Sequence, residues 1–592
     1  MAIDNLQKND SHKDFYNIKQ ALFNLLEQTQ DLELSPEKIQ ALLRLGRLII
    51  LSNQHFSTAE YNTLQGKAYE LLKRAWHLAQ QTNNRAGISQ ALGYKGQLYQ
   101  HEKRYQEALN LTRQAVFFAQ ELPELLYYWQ WQMASIFQEQ GEHAKSALAY
   151  KQAIDTLWSI RYDLSKIYRT FRSSFREQVS ALFYEFTELL LTYASRFSRE
   201  EKEALCRLQE QPADCLKKLQ DTLEKLKSAE LLDYFQNECV IKNQISLTEI
   251  GLEKETAVLY PIMLKDRLEL LLHKAGGMTL ISVTETNRQK LEDEIYHLRH
   301  ELYHGEHLYH KFKKHAQNLY DWLIHPLKES NHLQDIETLV LVPDGQLRTM
   351  PIAALHDGKD YLIEHYALAV VPGLTLRVTS EQEPTNQSIL LLTGLDLEEP
   401  VNIRGYTLDV LNTADEVEGI KKHISKSVEL LNQDFTETNL KEKLIETGYS
   451  MVHISSHAVF EADINNSFIL MSQVCPLELE PFQDLLTLNR IHDTPLNLIT
   501  LSACETALGD DRAALGLGGV ALRAGAQSAV ATLWKVKPDF TTRFMPIFYE
   551  NISKGLSKAK ALQETQKAMI KSDYYQHPYF WYSFTLIGNG LK

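Results

Sequence analysis

The spacing of apolar residues changes once along this chain of 592 residues, near residue 255, and that change constrains the fold more than any other feature. From about Asp14 to Leu205 apolar side chains recur at intervals of three and four, prolines stand only at 36 and 123, and strand-like alternation is almost absent. Such spacing gathers apolar groups on one stripe of a helix, so the region is expected to be all-helical. It also repeats. Gly96, Tyr99, Ala108 and Ala115 recur as Ala134, Phe137, Ser146 and Ala153, each pair offset by 38. A third unit lies upstream, with Leu45 and Gly46 in a first helix, Ala68 and Ala75 in a second, and a loop insertion between them. Small residues at these points allow two helices to approach closely, and the aromatics fill the groove.

This spacing of small and aromatic positions resembles the tetratricopeptide repeat (TPR), whose usual period is about 34, so each unit here would carry a longer turn. The alternative is a plain helical bundle, because three units are near the minimum for a solenoid. A long amphipathic helix is expected around Ser165 to Arg196, then a charged helical stretch to about Glu238. Beyond it the period becomes that of strands. Thr256 to Pro261, Leu268 to His273 and Met278 to Val283 are bounded by turns at Lys265-Asp266 and Gly276-Gly277. Two helical segments lead to the strand Thr338 to Val342. Ile389 to Thr393, Met451 to Ile454, Phe468 to Met471, Leu496 to Ala503 and Ser528 to Leu533 then alternate with amphipathic helices, the pattern of a mostly parallel, buried sheet.

A chain this long exceeds the roughly 300 residues at which a single core stops growing, so more than one domain is expected. Its 62 basic and 76 acidic residues give a net charge of −14, which speaks against direct nucleic-acid binding. Cysteines at 206, 215, 239, 475 and 504 are odd in number and show no pairing rhythm, which fits a reducing compartment, the cytoplasm. The start, MAIDNLQKND, lacks a basic stretch followed by an apolar one, and no segment reaches the ~18 apolar residues of a membrane helix, so no membrane role is expected.

Ligands of open α/β sheets bind beyond the carboxyl ends of the strands, and two reactive side chains stand there. His457 follows the run in MVHISSHAVF, and Cys504 closes the run in LNLITLSACETALGD. A thiol with a pKa near 8.5 is mostly protonated at neutral pH, so a nucleophilic cysteine needs a base within reach. These two strand ends can supply the pair; an inert buried cysteine and a structural histidine are the alternative.

At these residues the chain resembles the CHAT family, caspase-like peptidases often fused to TPR arrays and related in fold to caspases, gingipains and separase. The segments LVPDGQLRTMPIAAL, VHISSHAVF, LSACETALGD, LGGVALRAGAQSAVATLW and HPYFWYSFTLIGN occur in the family's order. The resemblance implies that His457 is the catalytic base and Cys504 the nucleophile, with His453, four residues earlier and on the same face of a regular strand, as the structural alternative. It also implies an oxyanion hole made by the backbone amides of Ala458 and Cys504. The family usually has glycine where Ala458 stands, and a backbone there with φ > 0 would strain an alanine. Ser502, two residues before Cys504, is expected to face the substrate pocket; related peptidases that select a basic residue often carry an aspartate there. Asp463 and Glu461 could add negative potential.

Three competing signals are set aside. Gly516, Gly518 and Ala521 fit a dinucleotide fingerprint loosely but start twelve residues beyond Cys504 rather than at a strand end. His297, His300, His304, His307 and His310 are spaced like one helical face, yet Gly305 interrupts them. No phosphate loop or CxxC pair is present, so no cofactor or metal is expected. The expected organisation is α + α/β: a TPR-like helical repeat array over 1–205, a helical linker over 206–255, an inactive caspase-like lobe over 256–383, and a catalytic lobe over 384–592. The first lobe lacks any cysteine between Thr256 and Ser380. The resemblance implies a cysteine endopeptidase acting on a protein substrate. It would stay latent until a regulatory protein or ribonucleoprotein binds the helical array, with the glycine-rich segment Leu508 to Gly519 as switch. Bacterial defence or programmed-death circuits are the implied setting, including the CRISPR-associated type III-E and gasdermin-cleaving examples of the family. A non-catalytic interaction scaffold is the alternative.

Overall fold

A computed structural model of the chain describes residues 35–51, 58–170, 175–196, 215–235, 252–303, 309–376, 389–461, 463–492, 494–506 and 524–588. These fall into two compact units, Met1–Leu219 and Gln220–Lys592.

Among the described residues the regular elements of the first unit are all helices: α1 (Pro36–Leu51), α2 (Thr58–Gln81), α3 (Arg85–His101), α4 (Tyr105–Phe118), α5 (Pro123–Glu139), α6 (His143–Thr170) and α7 (Phe175–Arg196). The first six pair as three consecutive hairpins. Helix starts follow local chemistry. The Asn84 side chain accepts the Gly87 amide at 2.9 Å, and Pro123 opens α5, where its missing N–H costs nothing. The repeated small residues mark helix contacts. A Cβ on Gly96 would stand 2.7 Å from Thr112 Oγ1 and 3.2 Å from the Ala108 carbonyl; one repeat later Ser146 donates to the Ala134 carbonyl at 2.8 Å. Of the long helix expected from Ser165 to Arg196, the residues up to Thr170, in α6, and from Phe175 to Arg196, in α7, are helical, and 171–174 lie outside the described residues.

Helix α8 (Cys215–Phe235) begins in the first unit and continues into the second. The second unit then builds β1 (Thr256–Met263), β2 (Leu268–Lys274), β3 (Gly277–Val283), α9 (Arg288–Tyr303), α10 (Tyr309–Leu323), β4 (Thr338–Leu341) and β5 (Ala367–Val370). Next come β6 (Leu390–Gly394), the hairpin β7 (Val401–Ile403) and β8 (Tyr406–Leu408), α11 (Ala414–Lys421), β9 (Ser427–Leu431) and α12 (Glu437–Glu446). The chain closes with β10 (Met451–Phe460), β11 (Phe468–Met471), β12 (Cys475–Glu478), α13 (Leu479–Thr487), β13 (Leu498–Thr506), β14 (Ser528–Thr532), α14 (Pro538–Ser553), α15 (Lys558–Ile570) and β15 (Phe584–Gly588).

Thirteen strands form one mixed, mostly parallel sheet in the order β12-β11-β10-β13-β14-β15-β5-β4-β1-β2-β3, with β6 pairing β10 and β9 beyond it. β1 and β10 are buried at every residue, as strands covered on both faces must be. The hairpin β7–β8 stands apart; its turn residues Arg404 and Gly405 both have positive φ (51° and 91°), the conformation that matches strand twist.

Where a linker is expected, α8 is anchored at three points by buried polar groups. The Glu224 carboxylate accepts from the Leu374 and Thr375 amides (both 2.9 Å) and from Tyr260 (2.8 Å). Lys227 Nζ lies 2.8 Å from Asp344 Oδ1, and Glu230 pairs with Arg348. The Tyr234 hydroxyl donates to the Glu461 carbonyl at 2.8 Å. Apart from Tyr260, which lies within β1, these partners follow the carboxyl ends of β5, β4 and β10 respectively, so α8 runs along that edge of the sheet.

The four charges of the middle anchor are each no more than 8% exposed, and burial pushes the Lys227 ammonium down against the pull of Asp344. Removing one member of such a set leaves a buried charge uncompensated. Arg348→Met is therefore expected to cost about 3–5 kcal/mol in urea unfolding of the full chain. A loss under about 1 kcal/mol would show that the set is not held as described.

Candidate active site

β10 carries the candidate base. Its ten residues pair with β6 over Met451–Ser455, with β11 at Ala458 and Val459, and with β13 along both halves of its length. The β13 pairing is not continuous. Ile454 stands opposite Leu501, but His457 stands opposite Ala503, so Ser455 and Ser456 together face the single residue Ser502. This is a β-bulge, which breaks the alternation of side chains. The expectation that His453 and His457 share a face is thereby corrected, for the two imidazoles meet different neighbours.

His453 is fully buried, with Nε2 2.8 Å from Glu416 Oε1 on α11 and Nδ1 3.2 Å from the Tyr549 hydroxyl on α14. Thr500, its register partner on β13, lies 3.0 Å from the same hydroxyl. Burial works to raise the Glu416 carboxyl, but hydrogen bonds from His453, Thr541 and Ser502 outweigh it and hold the group below the usual carboxylate range. A buried anion and its imidazole thus tie β10, β13, α11 and α14 together just before the bulge.

His457 is 7% exposed, and its Nε2 lies 2.8 Å from the Asp409 carbonyl, directly after β8. A carbonyl only accepts, so Nε2 carries the proton and Nδ1 keeps its lone pair. Burial lowers the pKa of the ring, the bond to Asp409 opposes this, and the nearby Lys535 charge adds to the lowering. The imidazole is therefore neutral at neutral pH, the form a general base requires. Lys535 Nζ sits 2.7 Å from Asp409 Oδ2 and so steadies the residue that orients the ring. No sequence signal marks Asp409, because it contributes a carbonyl that any residue could supply. Glu416 and Tyr549 were missed for another reason: helix positions carrying one polar group look solvent-facing until the sheet packs on them.

The Cys504 side chain lies outside the described residues, but its backbone is placed by register opposite Ala458. The Leu498 amide donates to the Ser450 carbonyl (3.4 Å), and alternate residues of a parallel strand bond the same neighbour, so the Cys504 amide also points at β10. Ala458 is flanked by Cys504 on one side and Ile469 on the other, which commits its amide to the sheet as well. It is extended and absent from the positive-φ residues, so alanine there carries no backbone strain. Ser502 is fully buried and turned to the Glu416 cluster, with Oγ 3.5 Å from the Ile454 carbonyl. Asp463 is exposed and caps a short turn, accepting from the Asn465 amide at 3.1 Å. Glu461 takes the Tyr406 hydroxyl on its carboxylate and the Tyr234 hydroxyl on its carbonyl. Cys475 is exposed on β12, opposite Met471.

Leu508–Gly519 and Ala521 lie outside the described residues, as do His304 and His307. His297 stacks on His315 at 5.4 Å, and His315 Nδ1 lies 2.7 Å from Glu294. Among the described residues no His, Cys, Asp and Glu group could hold a metal ion, and no helix is long and apolar enough to cross a membrane.

The second unit is a mostly parallel α/β sheet with a histidine and a cysteine near the ends of adjacent strands. Residues 313–589, in the second unit, match the model of the CHAT domain. Two relatives, tetratricopeptide repeat protein 28 of Mus musculus and of Homo sapiens, are each 24% identical, over 323 and 328 residues. Each match takes in 46% of this chain and 13% of the relative, so the chain spans a small part of those proteins. Among solved structures, the Saccharomyces cerevisiae separase–securin complex aligns over 98% of this chain and 48% of its own, at 12% identity and TM-score 0.35. BtubC from P. vanneervenii covers 39% of this chain and 88% of its own, at 16% identity and TM-score 0.22. At scores this low neither bears on function.

Because the folded chain binds a proton at His457 less well than the unfolded chain does, His457 should cost stability as pH falls below the unfolded value of about 6.5. An NMR titration should place the His457 transition below that value, and Lys535→Ala should move it up. A transition at or above 6.5 would contradict the buried, neutral ring.

Proposed function

We propose that the chain is a cysteine endopeptidase in which His457 is the base and Cys504 the nucleophile. The observation that carries this reading is the state of His457: a neutral imidazole, held by Asp409 with its lone pair on Nδ1, on the strand beside the one that bears Cys504. In the reaction, Nδ1 takes the Cys504 proton, and the thiolate attacks the scissile carbonyl. The imidazolium then gives that proton to the departing amine, leaving a thioester that water hydrolyses with the same base. The oxyanion falls to the Ala458 and Cys504 amides once they leave their present ladder positions. Ser502, buried beside Glu416, supports the nucleophile strand rather than touching substrate, and Asp463, exposed in the turn after β10, is left to add negative potential for substrate.

The same reading makes the chain latent. With both amides engaged in the sheet, the oxyanion hole is not yet available. Helix α8 offers a route by which a regulatory protein or ribonucleoprotein gripping the helical repeats acts on the site, since it leaves the first unit and ends with Tyr234 bound to the backbone just past β10. A cytoplasmic role in bacterial defence, with a protein substrate and no cofactor, belongs to this proposal. A non-catalytic scaffold is its rival, favoured by that same engagement of the amides.

The test is the set of new protein N-termini in a host lysate after addition of the chain, the lysate supplying both substrate and activating partner. Wild type should generate a defined set, and Cys504→Ala or His457→Ala should remove all of it with thermal stability nearly unchanged. The double variant should be no worse than either single one, because the pair acts as a unit. Cys475→Ser should cleave as wild type. Cleavage surviving in Cys504→Ala, or no chain-dependent cleavage under any condition, would leave the scaffold reading.

A further inference from the structure

The bulge in β10 has a numerical property that bears on the site. Upstream of it His453 pairs with Thr500 and Ile454 with Leu501. A ladder continued without interruption from there would set His457 directly opposite Cys504. Because Ser455 and Ser456 both face Ser502, His457 is set back by one residue and stands opposite Ala503. We infer that this bulge is the positioning element of the site: it holds His457 one residue out of register with Cys504, and drawing the extra residue into the ladder brings the two opposite each other. The inference rests on the reading of His457 and Cys504 as the reactive pair.

Three sets of observations support it. The upstream register is pinned by the buried set of Glu416, His453, Tyr549 and Thr500, so β10 and β13 cannot slip before the bulge. The downstream segment is held in its set-back position by separate bonds, from His457 Nε2 to the Asp409 carbonyl and from the Tyr234 and Tyr406 hydroxyls to Glu461. The bulge itself is poorly satisfied. The Ser455 hydroxyl is buried and has no hydrogen-bond partner among the described residues, and the bulge is crowded by Gly394, where a Cβ would stand 3.1 Å from the Ser455 carbonyl. An unpaired buried hydroxyl favours any rearrangement that gives it a partner.

The movement required is one register step. Advancing one residue shifts the segment after Ser456 by about 3.3 Å along the strand and turns its side chains to the other face, which carries the imidazole from the face of Ala503 to that of Cys504; residues opposite one another on neighbouring strands lie about 4.8 Å apart. Upstream pairing with β6, including the Leu395 amide bond to the Ser455 carbonyl (3.1 Å), is untouched. What must break are the bonds to Asp409 and Glu461, one of which comes from α8, together with the pairing of Ala458 and Val459 to β11, while the pairs with β13 re-form one residue on.

The experiment measures alkylation of Cys504 by iodoacetamide in the full chain, quantified on its own peptide by mass spectrometry across pH. In the resting chain the rate should be unaffected by His457→Ala, because the ring is out of register. Releasing the downstream segment with Tyr234→Phe and Tyr406→Phe together should raise the rate at neutral pH about tenfold, the effect of one unit of thiol pKa, and His457→Ala should abolish the gain. Deleting Ser456 removes the spare residue and makes the set-back pairing regular, so in that background the two tyrosine changes should give no gain.

If the deletion variant does not fold, paired cysteines under mild oxidation report the register. His457→Cys with Ala503→Cys and Cys504→Ala should cross-link in the resting chain, and His457→Cys with the native Cys504 only after the tyrosine changes. A resting rate that already depends on His457, or equal cross-linking of both pairs in the resting chain, would overturn the inference. So would full proteolytic activity in the Ser456 deletion, which would leave the peptidase reading intact. A register shift without any protein cleavage would do the reverse, sustaining this inference and defeating the peptidase reading.

Discussion

Everything in the second unit depends on how β10 is paired. A strand at the middle of a sheet has no freedom to rotate, because its amides and carbonyls are spoken for on both sides and each side chain must fit the layer it faces. β10 meets β6 and then β11 on one side and β13 along the other. Its single irregularity therefore decides where every later side chain goes. The buried Glu416–His453 pair fixes the strand before that irregularity, and Asp409 and Glu461 fix it afterwards. A buried carboxylate–imidazole contact of this kind seldom adds much stability against an apolar replacement, so its value here is register rather than energy.

The electrostatics follow the same division. Upstream of the bulge the polar groups are fully buried and joined by hydrogen bonds among Glu416, His453, Tyr549 and Thr500, which makes that half rigid. Downstream, besides the pairing with β11 and β13, the side-chain partners are a backbone carbonyl, two tyrosine hydroxyls and a half-exposed aspartate–lysine pair, contacts that can be exchanged at modest cost. Helix α8 belongs to both regimes. Its middle is locked by the Lys227, Glu230, Asp344 and Arg348 charges, while its end touches the exchangeable part through one hydroxyl.

Much of this fold was legible in the sequence wherever apolar spacing alone determined the element. The strands at Thr256, Leu268, Thr338, Met451, Phe468 and Ser528 announce themselves as unbroken apolar runs between turn residues. Those left unread are β5, β9, β12, β15 and the hairpin β7–β8, of three to five residues each, too short for a period to show. The small residues at 96, 108, 134 and 146 foretold close helix packing because a missing side chain has one obvious use there. The bulge was not foreseeable. Ser455 and Ser456 look like ordinary strand residues, and a register is a property of two strands, not of one. The strain feared at Ala458 came from comparing residue types, whereas the backbone there is extended. Ser502 was placed by alternation, which correctly put it on one face but could not say that Glu416 would be waiting on that face.

The central claim is that peptide bonds are cut through a thioester on Cys504. The direct measurement is peptide mapping of the chain after acid quenching during turnover of a substrate protein found in the lysate. The account predicts an acyl adduct on the peptide bearing Cys504, removed by hydroxylamine and missing from His457→Ala. Cleavage that proceeds with Cys504 unmodified, or an adduct on any other residue, would contradict it.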